Sequence, residues 1–219
     1  RQDSGPPPLG IQIADVAGGS LHAVIGILAA VVERQRSGMG QYIDISMTDC
    51  VASLNSMAAS ASLAGQIPQG PEQGMLNGSS FYDYYQTKDG RYFSVGSLEP
   101  QFMAGLAAAL DLPILMAKGA SFDPEDRQAV KQALQEKFKT QDFVAWQNLF
   151  QSLDICVEPV LSLDEALISP MAQQRSWVVD VPLSENASET EPQLACPIKF
   201  SRSQMKYQFI GQGLGEGKW

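Results

Sequence analysis

The stretch Ala14-Asp15-Val16-Ala17-Gly18-Gly19-Ser20, followed by a nearly unbroken apolar run from Leu21 to Val32, constrains this chain more than any other segment. Ile11 and Ile13 lead into a single carboxylate, two glycines follow it, and the apolar run then calls for a helix with a face to bury. An aspartate at a helix N-terminus caps backbone N–H groups, and the helix dipole favours its ionised form. The paired glycines add a second reading, because backbone without β-carbons admits a close ligand or another stretch of chain. Capping and chemistry both fit Asp15 from the residues alone.

From Gly18 to Arg36 the positions Leu21, Val24, Ile25, Leu28, Ala29 and Val32 recur at helical spacing, and Arg34, Arg36 and Gly38 form a stop signal. Gln41 to Met47 alternates polar and apolar residues and predicts a strand. Thr48 or Asp49 then opens a second helix to about Gly65, whose small face (Ala52, Ala58, Ala61) suits close packing against another helix or, with Met57, a flexible apolar ligand. Gln66 to Ser80 lacks periodicity and reads as a loop. Phe81–Thr87 and Arg91–Gly96 flank Lys88-Asp89-Gly90, the strongest hairpin signal in the chain. Pro100 suits a first helical position, which puts Glu99 at a helix mouth as Asp15 is. Two carboxylates at two helix mouths form a candidate acid and base pair, although capping accounts for each separately.

The remainder reads as a helical subdomain with short strands. Asp123-Pro124-Glu125 opens a charged helix through Phe138, Thr140-Gln141-Asp142 opens another through Leu153, and their charged faces are expected to be solvated surface. Cys156 to Val160 is an expected strand, with Cys156 as a small buried hydrophobe; Asp164-Glu165 falls in a short helix, and Trp177 to Val181 is another strand. Ser184 to Gln193 is expected to be an exposed acidic loop, Pro197 to Phe200 a return segment, and Gly211 to Gly217 a loose tail.

Composition narrows the function classes. With 219 residues and 44% hydrophobic content the chain can bury a core as one or two domains. A formal charge of −9 and the lack of a basic run argue against nucleic acid. Three cysteines (Cys50, Cys156, Cys196) without CxxC spacing argue against a disulfide framework or a metal site and fit a reducing, cytoplasmic setting. The Leu21–Val32 run, which includes His22, is short for a bilayer, so no membrane partner is expected, and no signal peptide precedes it. The first residue is Arg1, and Gly5-Pro6-Pro7-Pro8-Leu9 is a stiff lead-in that suggests a further region upstream.

Several segments in order resemble the family III CoA-transferases: Asp15 with Gly18-Gly19, Glu33 to Gln41 entering Ile43-Asp44-Ile45-Ser46-Met47, Met75-Leu76-Asn77-Gly78, the hairpin, and Glu99-Pro100-Gln101-Phe102. Cys156 to Leu161 and Pro197 to Ser201 extend the likeness across nearly the whole chain. The resemblance implies an α/β fold, here its C-terminal part. Residues 1–74 would belong to a large α/β domain, residues 75–183 to a small α+β domain with an antiparallel hairpin, and residues 184–219 to a return segment. It also implies a coenzyme A thioester as substrate, no covalently bound cofactor, no metal, and a homodimer of interlocked chains or a missing N-terminal half that holds most of the CoA-binding surface.

Within the family the likeness is greatest to the racemase branch, in which the aspartate matching Asp15 and a histidine serve as acid and base on opposite faces of the α-carbon, and the glutamate matching Glu99 orients that histidine. The motif Glu99-Pro100-Gln101-Phe102 points to this branch, and Asn77-Gly78-Ser79-Ser80 stands where well-known transferases carry a glycine-rich lid. Gly18 and Gly19 are the expected backbone donors near the thioester, and Leu76 and Tyr82 are expected to line the acyl pocket. The implied histidine precedes Asp15, whereas the single histidine here, His22, follows it inside the helix and is expected to be a packed, hydrogen-bonded residue. Two alternatives stay open: a transferase in which the aspartate attacks the thioester and forms an anhydride, and a non-catalytic fragment or oligomerisation module.

Overall fold

The computed structural model describes residues 10–65, 70 and 73–211. The proline-rich lead-in, most of the loop between residues 66 and 72, and the tail beyond Gly211 lie outside the described residues. The chain divides after Glu158 into two compact units.

The first unit opens with wide, π-type helical turns over Ile13–Leu21 that pass directly into α1 (His22–Ser37). The helical run therefore starts five residues before the expected Gly18, and Gln12 rather than Asp15 occupies the N-cap. Gly38 ends it as expected, in the left-handed region at φ +77° with its N–H on the Arg34 carbonyl. Ile13–Ser37 is a 25-residue helix with a mean hydropathy of 1.8 in its most apolar window and 6% of that window buried. By length and composition it is long enough to cross a membrane, whereas Leu21–Val32 alone is not, because the helix includes the turns on either side of that run.

The expected strand over Gln41–Met47 does not form among the described residues. The segment instead lies along α1, where a β-carbon on Gly26 would meet the side chains of Ile45 and Ile43 at 3.1 and 3.3 Å. Its alternating pattern has no neighbouring ladder to complete it. Ser46 caps α2 (Met47–Leu54) by accepting the Asp49 N–H, and Asn55 separates α2 from α3 (Ser56–Leu63), so the expected single helix is two.

The core of this unit lies further along. Strands β1 (Asp83–Gln86) and β2 (Tyr92–Val95) pair antiparallel with Tyr85 opposite Phe93, and β3 (Val157–Pro159) adds beside β2. The turn has Gly90 at φ +84°, as the Asp-Gly sequence requires. Tyr85 and Phe93 both face inward and are fully buried, while Tyr84 and Tyr92 between and beside them face out. Helices α6 (Pro124–Phe138) and α7 (Phe143–Phe150) cover this face with their rings, while α5 (Ile114–Lys118) packs on α6 and α4 (Pro100–Leu110) on α5.

Phe138 is the hub of the core, with ring centroids of Tyr85, Trp146 and Phe150 at 5.4, 5.4 and 5.9 Å. Each such ring stabilises the fold by about 1.5–3 kcal/mol through burial alone. The polar ends are satisfied: Tyr85 donates to the Phe81 carbonyl and Trp146 Nε1 to the Phe138 carbonyl, each at 2.8 Å. Burial pushes the Tyr85 hydroxyl pKa far above its ordinary value, with the Asp83 charge adding to the shift.

The second unit contains α8 (Leu163–Leu167), opened by a reciprocal Ser162–Glu165 capping box, and α9 (Pro170–Gln174), capped by Ser169. Strands β4 (Val178–Pro182) and β5 (Thr190–Leu194) form an antiparallel pair with Val178 opposite Leu194. β5 falls within the expected exposed loop; it is polar and mostly exposed, so it lacks the alternation that marks a half-buried strand.

Candidate active site

Asp15 lies in the first turn of the π-type segment, exposed to solvent. The local bond is made by its backbone carbonyl, which accepts the Ser20 hydroxyl at 3.0 Å, while the carboxylate serves as no cap. Ile13 and Val16 N–H groups are taken by the carbonyls of Ile11 and Gln12. His22 is half-buried, and its Nδ1 donates to the Ala17 carbonyl at 2.7 Å, as expected of a packed helix residue.

Gly18 and Gly19 occupy a crossing point between helices. A β-carbon on Gly18 would stand 2.9 Å from Val51 Cγ2 and 3.3 Å from the Met47 carbonyl; one on Gly19 would stand 3.4 Å from Met47 Cγ. The close approach that the glycines permit is therefore taken up by α2. Both residues lie beyond the first turn, where helical N–H groups bond to the helix's own carbonyls.

Glu99 is the extended N-cap residue of α4, exposed, with its carbonyl accepting the Met103 N–H and its side chain making no cap bond. Gly96 ties it to a neighbourhood: the Gly96 N–H bonds to the Cys156 carbonyl at 2.9 Å, and a β-carbon there would meet Tyr82 Cε2 at 3.3 Å. Cys156 is exposed rather than buried as expected, and sits in the left-handed region at φ +50°. Its thiol pKa is raised by lost solvation first and then by the negative charge of Glu99, followed by Asp154 and Glu158. The fold thus gathers Tyr82, Glu99 and Cys156 around the end of β2. Leu76 stands half-exposed in the π-type turn Met75–Ser79.

No hydrogen bond or ion pair joins Asp15 to Glu99 among the described residues. A cavity of about 860 Å³ lies elsewhere, between Gly78–Ser79 and α6, and includes none of the six site residues expected from sequence. Among the described residues no cluster of ligating side chains could hold a metal ion.

Sequence reasoning missed Arg127 and Lys131, which stand one turn apart on the α6 face expected to be merely solvated. Arg127 donates to the Ser79 hydroxyl and the Ser121 carbonyl, and Lys131 to the Gly78 carbonyl and the Asp83 carboxylate. The available signal was their spacing: like charges at i and i+4 repel unless something holds them.

The architecture is an α/β fold shared with a CAIB/BAIF family protein from Brucella suis, which matches with a TM-score of 0.72, covering 96% of this chain and 55% of that chain at 23% identity. The model of CoA-transferase family III matches residues 1–212, and the chain belongs to that family. Alpha-methylacyl-CoA racemase of Mus musculus is 37% identical over 179 residues, covering 80% of this chain and 46% of the relative. Human succinyl-CoA:glutarate CoA-transferase is 25% identical over 185 residues, covering 82% of this chain and 42% of the relative. The chain thus spans about half the length of the curated relatives it matches.

Proposed function

We propose that this chain is part of an acyl-CoA racemase that removes and returns the α-proton of a 2-methylacyl-CoA thioester. The observation that carries the reading is the 37% identity to a protein named as a racemase, against 25% for the transferase over a similar length. The exposure of Asp15 supports it, because a base must be open to substrate.

In this reading Asp15 takes the α-proton from one face of the thioester and leaves an enolate. A histidine from outside this chain returns a proton to the opposite face, and Glu99 orients that histidine. The enolate oxygen needs backbone donors. The first-turn N–H groups of Ala14 and Asp15 suit that task better than Gly18 and Gly19, which lie further inside the helix. Leu76 and Tyr82 contact the acyl group. The apolar face of α1 packs against the remainder of the large domain or a second, interlocked copy, consistent with the family match over residues 1–212.

The transferase reading has one specific support, the family's transferase members, and differs in the first step: the Asp15 carboxylate attacks the thioester carbonyl and expels CoA as the thiolate, forming a mixed anhydride. α-Deuterated 2-methylhexanoyl-CoA tests both readings with the full-length protein. Loss of deuterium to water without CoA exchange is expected, Asp15→Asn lowering it by about 10²–10⁴-fold and Glu99→Gln less. Transfer of labelled CoA to a free acid, with hydroxylamine trapping an acyl group on Asp15, would overturn the racemase assignment.

A further inference from the structure

Met75–Ser79 carries Leu76 on a short π-type turn with little apolar packing of its own, Met75 and Leu76 being 45% and 50% exposed. Polar contacts hold it instead. The Ser80 hydroxyl donates to the Met75 carbonyl at 2.6 Å and accepts the Tyr82 N–H at 3.1 Å, linking the turn to the start of the hairpin. Gly78 adopts φ +103°, which turns its carbonyl toward α6, where Lys131 Nζ meets it at 2.6 Å.

The same ammonium lies 2.7 Å from Asp83 Oδ2, and Asp83 directly follows Tyr82. The other oxygen, Oδ1, accepts the Tyr84 N–H at 2.8 Å, which fixes the carboxylate in place. Arg127 adds a second hold on the turn through the Ser79 hydroxyl at 2.9 Å, and its own guanidinium is anchored on the Ser121 carbonyl. The Lys131 and Asp83 side chains are 22% and 35% exposed, so their pairing is partly shielded from water.

We propose that Lys131 is a positioning residue: by joining the Gly78 carbonyl to the Asp83 carboxylate it sets the spacing between Leu76 and Tyr82, and so the fit of the acyl branch between them. This rests on the acyl-CoA reading above. A charge-assisted bond to a backbone carbonyl suits the task, because it fixes a turn whose apolar residues Met75 and Leu76 are largely exposed.

The test uses Lys131→Met, Lys131→Arg and Asp83→Asn in the full-length protein, with 2-methylhexanoyl-CoA as probe. Lys131→Met is expected to raise KM about tenfold, the scale of one lost charge-assisted bond, with kcat within about twofold. Amide exchange over residues 76–80 is expected to quicken by a similar factor while α7 keeps its protection; Lys131→Arg recovers most of both effects, and Asp83→Asn reproduces part. Unchanged KM and exchange in Lys131→Met, or a loss of protection that spreads to α7, overturns the positioning role. Calorimetric binding separates this proposal from the reading beneath it. A wild type that binds the probe without turnover removes only the reaction assignment, and the ratio of dissociation constants then decides the role of Lys131. A wild type that does not bind the probe overturns both.

Discussion

The carboxylate of Asp89, at the tip of the β1–β2 hairpin, accepts the Phe143 N–H at 3.0 Å and the Thr87 hydroxyl at 2.5 Å, so a hairpin turn caps helix α7 from outside. Asp142, the residue in the N-cap position, makes no such bond with its side chain. The Thr87 hydroxyl is the largest influence holding the Asp89 pKa below the ordinary carboxylate value, aided by the Phe143 N–H. A depressed folded-state pKa contributes stability that is complete above the unfolded value and is lost as pH falls through the folded one. Urea unfolding at neutral pH is expected to show Asp89→Asn less stable than the wild type, with the two curves converging in acid.

Gly18 permits the α2 crossing. In Gly18→Ala the new methyl would press on Val51 at 2.9 Å; overpacking costs about 1–3 kcal/mol, against about 1 kcal/mol gained in helix propensity. A net loss of about 1 kcal/mol follows. Adding Val51→Ala should return the room, so the double variant is expected to be less destabilised than the sum of the two single changes, read from unfolding midpoints in a double-mutant cycle.

Phe138 touches the rings of Tyr85, Phe93, Trp146 and Phe150 and is fully buried. Phe138→Ala is expected to cost about 3–5 kcal/mol, whereas Phe138→Leu, which keeps more of the volume, costs less. Loss of near-ultraviolet circular dichroism from Trp146 before loss of helix signal would report the loosened ring packing.

Cys156 is exposed, yet lost solvation and the Glu99 charge hold its thiol pKa above the ordinary value. Less thiolate at neutral pH means slower alkylation. Iodoacetamide is therefore expected to label Cys156 more slowly in the folded protein than in urea, and Glu99→Gln is expected to quicken labelling of the folded form only in part, because the larger cause remains. An unchanged rate in Glu99→Gln would remove Glu99 from the neighbourhood of Cys156.

Local signals carried much of the small sheet. The Asp89-Gly90 turn and the inward alternation of Tyr85 and Phe93 were legible because a hairpin is specified by residues close in sequence. The Gln41–Met47 segment misled for the opposite reason: an alternating pattern records which side chains are apolar, and only a neighbouring chain makes it a strand. β5 was hidden because Thr190, Glu191 and Pro192 are exposed on both faces. At the candidate site, Asp15 and Glu99 stood out as carboxylates near helix starts, but the holds of Lys131 on Gly78 and Asp83 depend on partners 53 and 48 residues away along the chain. Spacing along one helix does not encode such distant partners.

The ring cluster centred on Phe138 draws on chain between Tyr85 and Phe150, whereas Asp15 belongs to an earlier stretch. A substitution beside Asp15 therefore touches none of the rings that hold the core together.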